Sequence, residues 1–350
     1  MSEATSQKIP VTVLTGYLGA GKTTLLNRIL SENHGKKYAV IVNEFGEIGI
    51  DNDLIIGADE EVFEMNNGCI CCTVRGDLVR IMDGLMKRKG KFDAIIVETT
   101  GLADPAPVAQ TFFVDEDVQK NARLDAVVTV ADAKWLSDRL KDAPEAKNQI
   151  AFADVIVLNK TDLVTKPELA EVEARIRGIN PYAKLHRTER CSVALADVLD
   201  RGAFDLDRIL DIEPDFLEAD DHDHDHDHHH HDGHDHHHHH DHGHGLKHYH
   251  DEDMQSLSLK TDKPLDPNVF MPWLQNLVQV EGGKILRSKG ILAFHDDDDR
   301  YVFQGVHMML EGNHQRKWKE GEPRESRLVF IGRELPEDAI RTGFESCIVS

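Results

Sequence analysis

The chain has 350 residues, 40% of them hydrophobic, which is enough for one large domain or two of ordinary size. Its formal net charge of −23 argues against non-specific nucleic-acid binding, which depends on Lys and Arg. No apolar run approaches the roughly 20 residues of a membrane span, and residues 1–8 lack the apolar stretch of a signal peptide. We therefore expect a cytoplasmic protein that binds neither nucleic acid nor membrane.

The first part of the chain predicts a parallel α/β sheet, which we assign to a domain over residues 1–215. Five short runs are mainly apolar without polar alternation, as in strands covered on both faces, and helical patterns such as 22–33 and 168–179 lie between them. The five runs are residues 11–15, 39–42, 94–97, 126–130 and 155–158.

A phosphate-binding loop is predicted at residues 16–23, which match the pattern G-x-x-x-x-G-K-[ST] between a predicted strand and a predicted helix. Glycines let backbone N–H groups curl around phosphate oxygens, and the helix dipole adds to the attraction. Lys22 would pair with the β- and γ-phosphates, and the Thr23 hydroxyl would ligate Mg²⁺. The predicted nucleotide ligands here are Gly16, Gly19, Ala20, Gly21, Lys22, Thr23 and Thr24.

Guanine specificity is predicted by residues 159–162, Asn-Lys-Thr-Asp, which follow the strand at 155–158. The Asp162 carboxylate can accept hydrogen bonds from guanine N1–H and from its 2-amino group, a donor pair that adenine lacks. We therefore expect GTP, with Asn159, Lys160 and Asp162 as ligands.

Residues 98–101, Glu-Thr-Thr-Gly, follow the strand at 94–97. An acidic residue there can reach Mg²⁺ through water, and a glycine there can sense the γ-phosphate, although Glu98 replaces the usual Asp. The candidate catalytic residues are accordingly Lys22, Glu98 and Gly101. Residues 43–51 are polar and suit a switch loop, with a solvated turn as the alternative.

Three of the five cysteines, Cys69, Cys71 and Cys72, lie within four residues. Thiolates suit Zn²⁺, and three of them can hold a tetrahedral ion with one position open; the alternatives are a redox pair or buried thiols. Cys191 and Cys347 stand alone in the sequence, and most lone cysteines are small buried hydrophobic residues.

Residues 216–253 are predicted to be a flexible linker. Between residues 218 and 253 the chain has 12 acidic residues, one lysine and 17 of its 22 histidines, a composition that cannot bury a core. The tract would bind divalent metals weakly at many sites, or serve as a solubilising linker or tag. Its representative candidate ligands are His222, His224, His226, His228, His234 and His236.

After the linker, residues 254–350 predict a smaller α+β domain on an antiparallel sheet. A helix is expected around residues 270–277, and a last helix after Pro336. Strands are expected at residues 257–261, 291–295, 301–306 and 327–331.

Together the motifs resemble the CobW family of P-loop GTPases, within the wider group of metallochaperone GTPases. The resemblance covers nearly the whole chain and is most specific at residues 15–24, 43–47, 68–72, 98–105 and 159–162, with further likeness in the His-rich linker and at 327–333.

This resemblance implies a P-loop NTPase fold and GTP hydrolysis coupled to delivery of a divalent metal to a client apo-metalloprotein or a cofactor pathway. Residues 89–105 look closest to the zinc-handling branch, and cobalt delivery for cobalamin synthesis is the alternative. Some family members carry an acid directly before Asn-Glu-Phe-Gly-Glu, where this chain has Val42. Related GTPases often dimerise, so a homodimer is possible.

The leading hypothesis is a GTP-gated zinc metallochaperone, in which GTP and Mg²⁺ order the switch segments and hydrolysis loosens an ion held by the three thiols. A second hypothesis is a storage or buffering protein in which the His tract matters most. A GTPase of translation or signalling would leave the thiols and the tract without a purpose.

Overall fold

Two β-sheets, each with its own helices, form the part of the chain described by the computed structural model. That part comprises residues 8–43, 62–65, 72–87, 92–204, 254–319 and 321–349. Within these ranges no helix combines the length and the apolarity needed to cross a bilayer.

The N-terminal sheet has seven parallel strands in the order β3-β2-β4-β1-β5-β6-β7. The strands are β1 Ile9–Thr15, β2 Tyr38–Asn43, β3 Val62–Met65, β4 Ala94–Glu98, β5 Ala122–Asp132, β6 Val155–Asn159 and β7 Lys184–Arg187. Every residue of β4 and β6 is buried, and because successive residues face opposite sides, both faces of the sheet are covered there. The predicted parallel α/β sheet is confirmed, with β3 and β7 as additional edge strands.

Local sequence signals account for the helices between these strands. They are α1 Lys22–Ser31, α2 Cys72–Met86, α3 Ala106–Val114, α4 Glu116–Asn121, α5 Leu136–Asp142, α6 Pro144–Phe152 and α7 Lys166–Ile179. The buried positions Leu25, Leu26 and Ile29 lie on one face of α1. Helix α7 begins with a capping box, in which the side chains of Thr165 and Glu168 each accept a hydrogen bond from the other residue's backbone N–H.

The C-terminal sheet has five antiparallel strands in the order β11-β10-β9-β12-β8. Its elements are β8 Gln255–Thr261, α8 Pro267–Glu281, β9 Ile285–Ala293, β10 Asp299–Val306, β11 Met309–Lys317, β12 Ser326–Gly332 and α9 Glu337–Glu345. Phe270 and Leu274 of α8 and Phe344 of α9 share a core with Leu328 and Phe330 of β12. The predicted α+β domain is confirmed, although β9 begins six residues before the expected start and β11 was not expected.

The opposite face of the C-terminal sheet packs on the N-terminal domain. Along β12, Val329 and Ile331 belong to the same core as the N-terminal sheet, whereas their neighbours Leu328 and Phe330 face α8 and α9. The central strand β9 is therefore buried along its whole length.

One carboxylate pairs with two cations that β9 carries into this interface. Asp154, which is 4% exposed, accepts hydrogen bonds from Arg287 at 2.5 Å and from Lys289 at 3.1 Å. Its other oxygen accepts the backbone N–H of Val127 at 2.8 Å, and the Arg287 guanidinium lies 4.1 Å from the ring centroid of Phe204. Ile291, two residues beyond Lys289, belongs to the core of the N-terminal sheet, whereas its neighbour Leu292 belongs to the core of α8 and α9. The pleat therefore places Arg287 and Lys289 on the side of Asp154.

Asp154→Asn should destabilise the protein strongly, because two buried cations would lose their counter-charge. Breaking a buried ion pair costs about 3–5 kcal/mol, and we expect the free energy of unfolding from urea titration to fall by that amount. The matched control is Glu173→Ala, which breaks a pair with Arg187, whose side chain is 62% exposed. Exposed pairs contribute only about 0–1 kcal/mol, so equal losses in the two variants would contradict the assignment.

Candidate nucleotide site

The sequence motifs meet at one edge of the N-terminal sheet. Parallel strands end on the same side, where ligands of such sheets bind. The register pairs Leu14 with Glu98 and Asp132 with Asn159. The predicted phosphate loop after β1, residues 98–101 at the end of β4 and residues 159–162 at the end of β6 therefore leave the sheet on the same side.

The phosphate loop needs its glycines for conformation and for space. Gly16, Gly19 and Gly21 have φ angles of 142°, 76° and 117°, in the region that disfavours other residues. A Cβ atom on Gly16 would also lie 2.2 Å from the carbonyl oxygen of Val130. Gly21 is the N-cap of α1 and has no side chain to occupy the first N–H groups of the helix, which leaves them for an anion.

Lys22 lies over the phosphate loop. Its ammonium donates to the carbonyl of Gly16 at 2.7 Å and of Tyr17 at 3.5 Å. Burial lowers the pKa of Lys22, and the nearby Glu98 carboxylate opposes that shift. A partly desolvated cation in this position gains from a phosphate partner. In the same loop Ala20 is buried, Thr23 is half-buried and Thr24 is exposed.

Glu98 ends β4 with its side chain largely buried, at 8% exposure. The next residue, Thr99, donates its hydroxyl to the Thr15 hydroxyl at 2.9 Å, which joins the ends of β4 and β1. The buried hydroxyl of Thr100 has no hydrogen-bond partner among the described residues. Carboxylate and hydroxyl oxygens are the donors that Mg²⁺ prefers, so Glu98 and Thr23 fit the predicted role.

Gly101 brings its loop directly against the phosphate loop. A Cβ atom on Gly101 would lie 2.6 Å from both the backbone nitrogen and the Cδ2 atom of Leu18. The two predicted phosphate-sensing segments are therefore in contact, and a larger residue would push them apart.

Asn159 and Lys160 brace the phosphate loop. The buried Asn159 amide donates to Ala20 O at 2.9 Å. Lys160, with a left-handed φ of 61°, donates to Gly19 O at 2.8 Å and to the Asp132 carboxylate at 2.7 Å. Asp162 lies in the short 3-10 helix Thr161–Leu163. It is exposed, so its carboxylate is accessible to a guanine base.

Two supporting features were not expected from the sequence. One is Asp132, which binds Lys160 and could have been suspected because it lies two residues after the predicted strand at 126–130. The other is the turn after β7, where Arg190 and Cys191 have positive φ angles and the Cys191 N–H donates to Asn159 at 2.8 Å. Only the pairing of β7 with β6 brings this turn to the site.

Cys191 has a structural place in this turn. Its side chain is fully buried 3.4 Å from the carbonyl oxygen of Gly21, and burial raises the pKa of the thiol to about 11. It is therefore a neutral thiol at pH 7, unsuited to metal binding or nucleophilic attack. Cys347 is buried as well, and burial also raises its pKa. Both cysteines match the expectation of small buried hydrophobes.

The predicted ligands of zinc or another transferred metal lie outside the described residues, namely Cys69, Cys71, the Cys72 side chain and the histidines from His222 to His236. Residues 44–51 of the predicted switch also lie outside them. The strand before the thiols, β3, ends with Met65 paired to Asn43, at the same edge as the phosphate loop. Three strand spacings separate β3 from β1, about 14 Å. In the described ranges no group of three or more His, Cys, Asp or Glu residues is arranged to hold a metal.

Two family models match the chain and together span most of it. The nucleotide-binding domain of CobW/HypB/UreG matches residues 10–187, and the C-terminal domain of the cobalamin synthesis protein CobW matches residues 254–348. The two matches coincide with the two sheets of the structure.

Characterised relatives are similar over nearly the full length. The chain is 33% identical to the zinc chaperone YjiA of Escherichia coli, covering 96% of this chain and 98% of that protein. It is 35% identical to the zinc-regulated GTPase metalloprotein activator 1 of Schizosaccharomyces pombe, covering 88% and 78%. The crystal structure of Zn(II)-bound YjiA GTPase from E. coli superposes with a TM-score of 0.73 at 29% identity, covering 98% of this chain and all of that one. The chain belongs to the CobW/HypB/UreG family of P-loop GTPases.

Proposed function

We propose that the protein is a GTP-hydrolysing metallochaperone that carries zinc on Cys69, Cys71 and Cys72 and passes it to a client apo-metalloprotein. The observation that carries the proposal is the shared sheet edge. The strands that flank the thiol segment end on the same side of the sheet as the phosphate loop and the loop at residues 98–101. The names of the relatives, zinc chaperone and zinc-regulated activator, support the same cargo.

Different described residues would bind the phosphates, the base and the Mg²⁺ ion of GTP. The loop glycines and the N-terminus of α1 present N–H groups to the phosphates, and Lys22 supplies a positive charge. Asn159 and Lys160 keep the loop in shape, and Asp162 reads the base. Thr23 and, through water, Glu98 would hold Mg²⁺, which supplies neutralisation of charge on the β- and γ-phosphates.

The effect of GTP hydrolysis would be transmitted to the zinc site through the loop at residues 98–101 and the switch at residues 43–51. Gly101 packs on the phosphate loop, so loss of the γ-phosphate would alter the contacts of residues 98–101 first. Strand β4, which carries this loop, pairs with β2, which leads into the switch at residues 43–51. Three thiolates leave one position of a tetrahedral zinc ion open, through which a ligand of the client could enter before release.

Cobalt is the alternative cargo, and the C-terminal match to a cobalamin synthesis protein favours it. Thiolate ligands bind both ions, so affinity alone does not decide between them. The metal recovered with the protein from cells supplied equally with zinc and cobalt, purified without chelators, distinguishes the two. Recovery of cobalt in excess would overturn the zinc assignment.

Asp162→Asn should weaken GTP binding by about 10- to 100-fold, because each charge-assisted bond to guanine contributes about 1.5–3 kcal/mol. Xanthosine triphosphate, which has a carbonyl in place of the 2-amino group, should bind this variant better than it binds the unaltered protein. Equilibrium binding of fluorescent GTP, ATP and xanthosine analogues measures both effects. Asp138→Asn, on the exposed face of α5, is the matched control, and an unchanged preference for GTP in Asp162→Asn would exclude Asp162 as the base reader.

Zinc should bind about 5- to 150-fold more weakly in the presence of GDP than with a non-hydrolysable GTP analogue, the usual size of a coupling between two sites. Competition against a chromophoric chelator measures the two dissociation constants. Cys71→Ser should remove the tight site, whereas Cys347→Ser, at a buried thiol of the C-terminal domain, should leave it intact. Equal zinc affinity in the two nucleotide states would disprove the coupling.

Deleting residues 220–251 separates a chaperone from a buffer. A chaperone should keep one tight zinc site and lose only weak, multisite binding, because the tract offers many imidazoles without a fixed geometry. Metal titration followed by calorimetry resolves the two classes of site. Loss of the tight site on deletion would instead favour storage as the function.

A further inference from the structure

Helix α6, Pro144–Phe152, lies between the loop at residues 101–104 and the C-terminal domain. With nine residues it is about 13 Å long. It carries two adjacent amides, Asn148 and Gln149, and the hydrogen bonds of the two explain why polar side chains stand here.

Gln149 supports the loop at residues 101–104, which begins with the predicted γ-phosphate sensor Gly101. Its side chain is 1% exposed and its amide nitrogen donates to the carbonyl of Gly101 at 3.1 Å and of Ala103 at 3.2 Å. The loop itself forms a turn, in which the Ala103 N–H donates to Thr100 O at 3.1 Å. The Gln149 amide therefore holds the loop at residues 101–104 in place, and Gly101 of this loop packs against the phosphate loop.

Asn148 connects the same loop to the C-terminal domain. Its amide nitrogen donates to the Asp104 carboxylate at 2.9 Å, and its oxygen accepts a hydrogen bond from Arg333 at 2.7 Å. An arginine only donates, so Arg333 requires the Asn148 oxygen on its own side and turns the amide nitrogen toward Asp104. The other Asp104 oxygen accepts the Ala106 N–H at 2.9 Å, at the start of α3.

The far end of α6 is fixed as well. The buried Asn180 amide donates to the carbonyls of Ile150 and Ala153, both at 2.9 Å, and so satisfies carbonyls that a helix end leaves open. The chain then reaches Asp154, which pairs with Arg287 and Lys289 of β9. Helix α6 is thus linked to the C-terminal domain through Arg333, which donates to Pro144 O and to Asn148, and, just past its last turn, through Asp154. Between these links it is bonded to the loop at residues 101–104.

We propose that Arg333, Asn148 and Gln149 are positioning residues for GTP hydrolysis, through which the C-terminal domain sets the place of the loop at residues 101–104. Gly101 lies so close to the phosphate loop that even a Cβ atom on it would clash with Leu18. A displacement of about 1 Å at a reacting group can cost as much as 100-fold in rate. The inference rests on the proposed GTP hydrolysis and adds that the C-terminal domain completes its site.

The test compares kcat for GTP with the dissociation constant of GDP in full-length variants. Arg333→Ala should lower kcat about 5- to 10-fold, and Gln149→Met, of similar shape but without a donor, at least as much. GDP affinity should stay within about twofold in both, because GDP lacks the phosphate that this loop faces. Arg333→Lys keeps a donor and should recover most of the rate. Arg333→Ala combined with Asn148→Ala should cost no more than either alone, since the two act in one chain of bonds.

The matched control is Arg324→Ala, at an arginine that donates to Phe294 O within the C-terminal domain, and its kcat should be unchanged. Unchanged kcat in both Arg333→Ala and Gln149→Met would overturn the inference while leaving the proposed function intact. A loss of GDP affinity equal to the loss of kcat would overturn it too, because it would mean general damage. An unaltered protein that does not hydrolyse GTP would refute the proposed function itself, and this inference with it.

Discussion

The burial of β9 on both faces is the constraint on which the two-domain arrangement depends. The pleat sends Arg287 and Lys289 toward the N-terminal domain, where both are buried. Charges in such a place must be paired, and Asp154, at the end of the loop after α6, meets both. The ion pair therefore does more than join two domains, because it also fixes where the C-terminal sheet meets α6, the helix whose Gln149 donates to the loop at residues 101–104.

Buried polar groups are also paired at the edge of the N-terminal sheet where the predicted nucleotide motifs lie. Asn159 and Lys160 belong to the guanine motif, yet their hydrogen bonds go to the phosphate loop and to neighbouring turns. The predicted base-binding and phosphate-binding segments are thus connected by a hydrogen bond, since Lys160, which donates to Gly19, directly precedes the turn Thr161–Leu163 that carries Asp162.

Strong periodicity and glycine patterns made much of this molecule predictable from sequence. The buried strands β1, β4 and β6 are mainly apolar, and the phosphate loop is marked by glycines that its φ angles require. Strand β9 was expected to begin at residue 291, because the polar residues Arg287, Ser288 and Lys289 interrupt its apolar pattern. Packing of β9 against the N-terminal domain explains why Arg287 and Lys289 are buried. Strand β11 was not expected because it is an exposed edge strand with few apolar residues.

The supporting residues of the site were hidden for a different reason. Gln149 and Asn148 stand in a short helix without a motif, and their roles come from loops 44 to 48 residues earlier in the chain. The turn at Cys191 reaches Asn159 only because β7 joins the sheet beside β6. Such contacts depend on the topology of the fold, and no local pattern of residue types predicts them.

The pairing of Asp154 with Arg287 also has a consequence for synthesis on the ribosome. The two residues are 133 positions apart, so at 5–20 residues per second the carboxylate is made about 7–27 s before its partner. During that interval the nascent N-terminal domain presents an unmatched charge and the apolar surface that β12 will later cover. A growing chain of this protein therefore passes through a stage that invites chaperone binding, and its last hundred residues close that stage as they emerge.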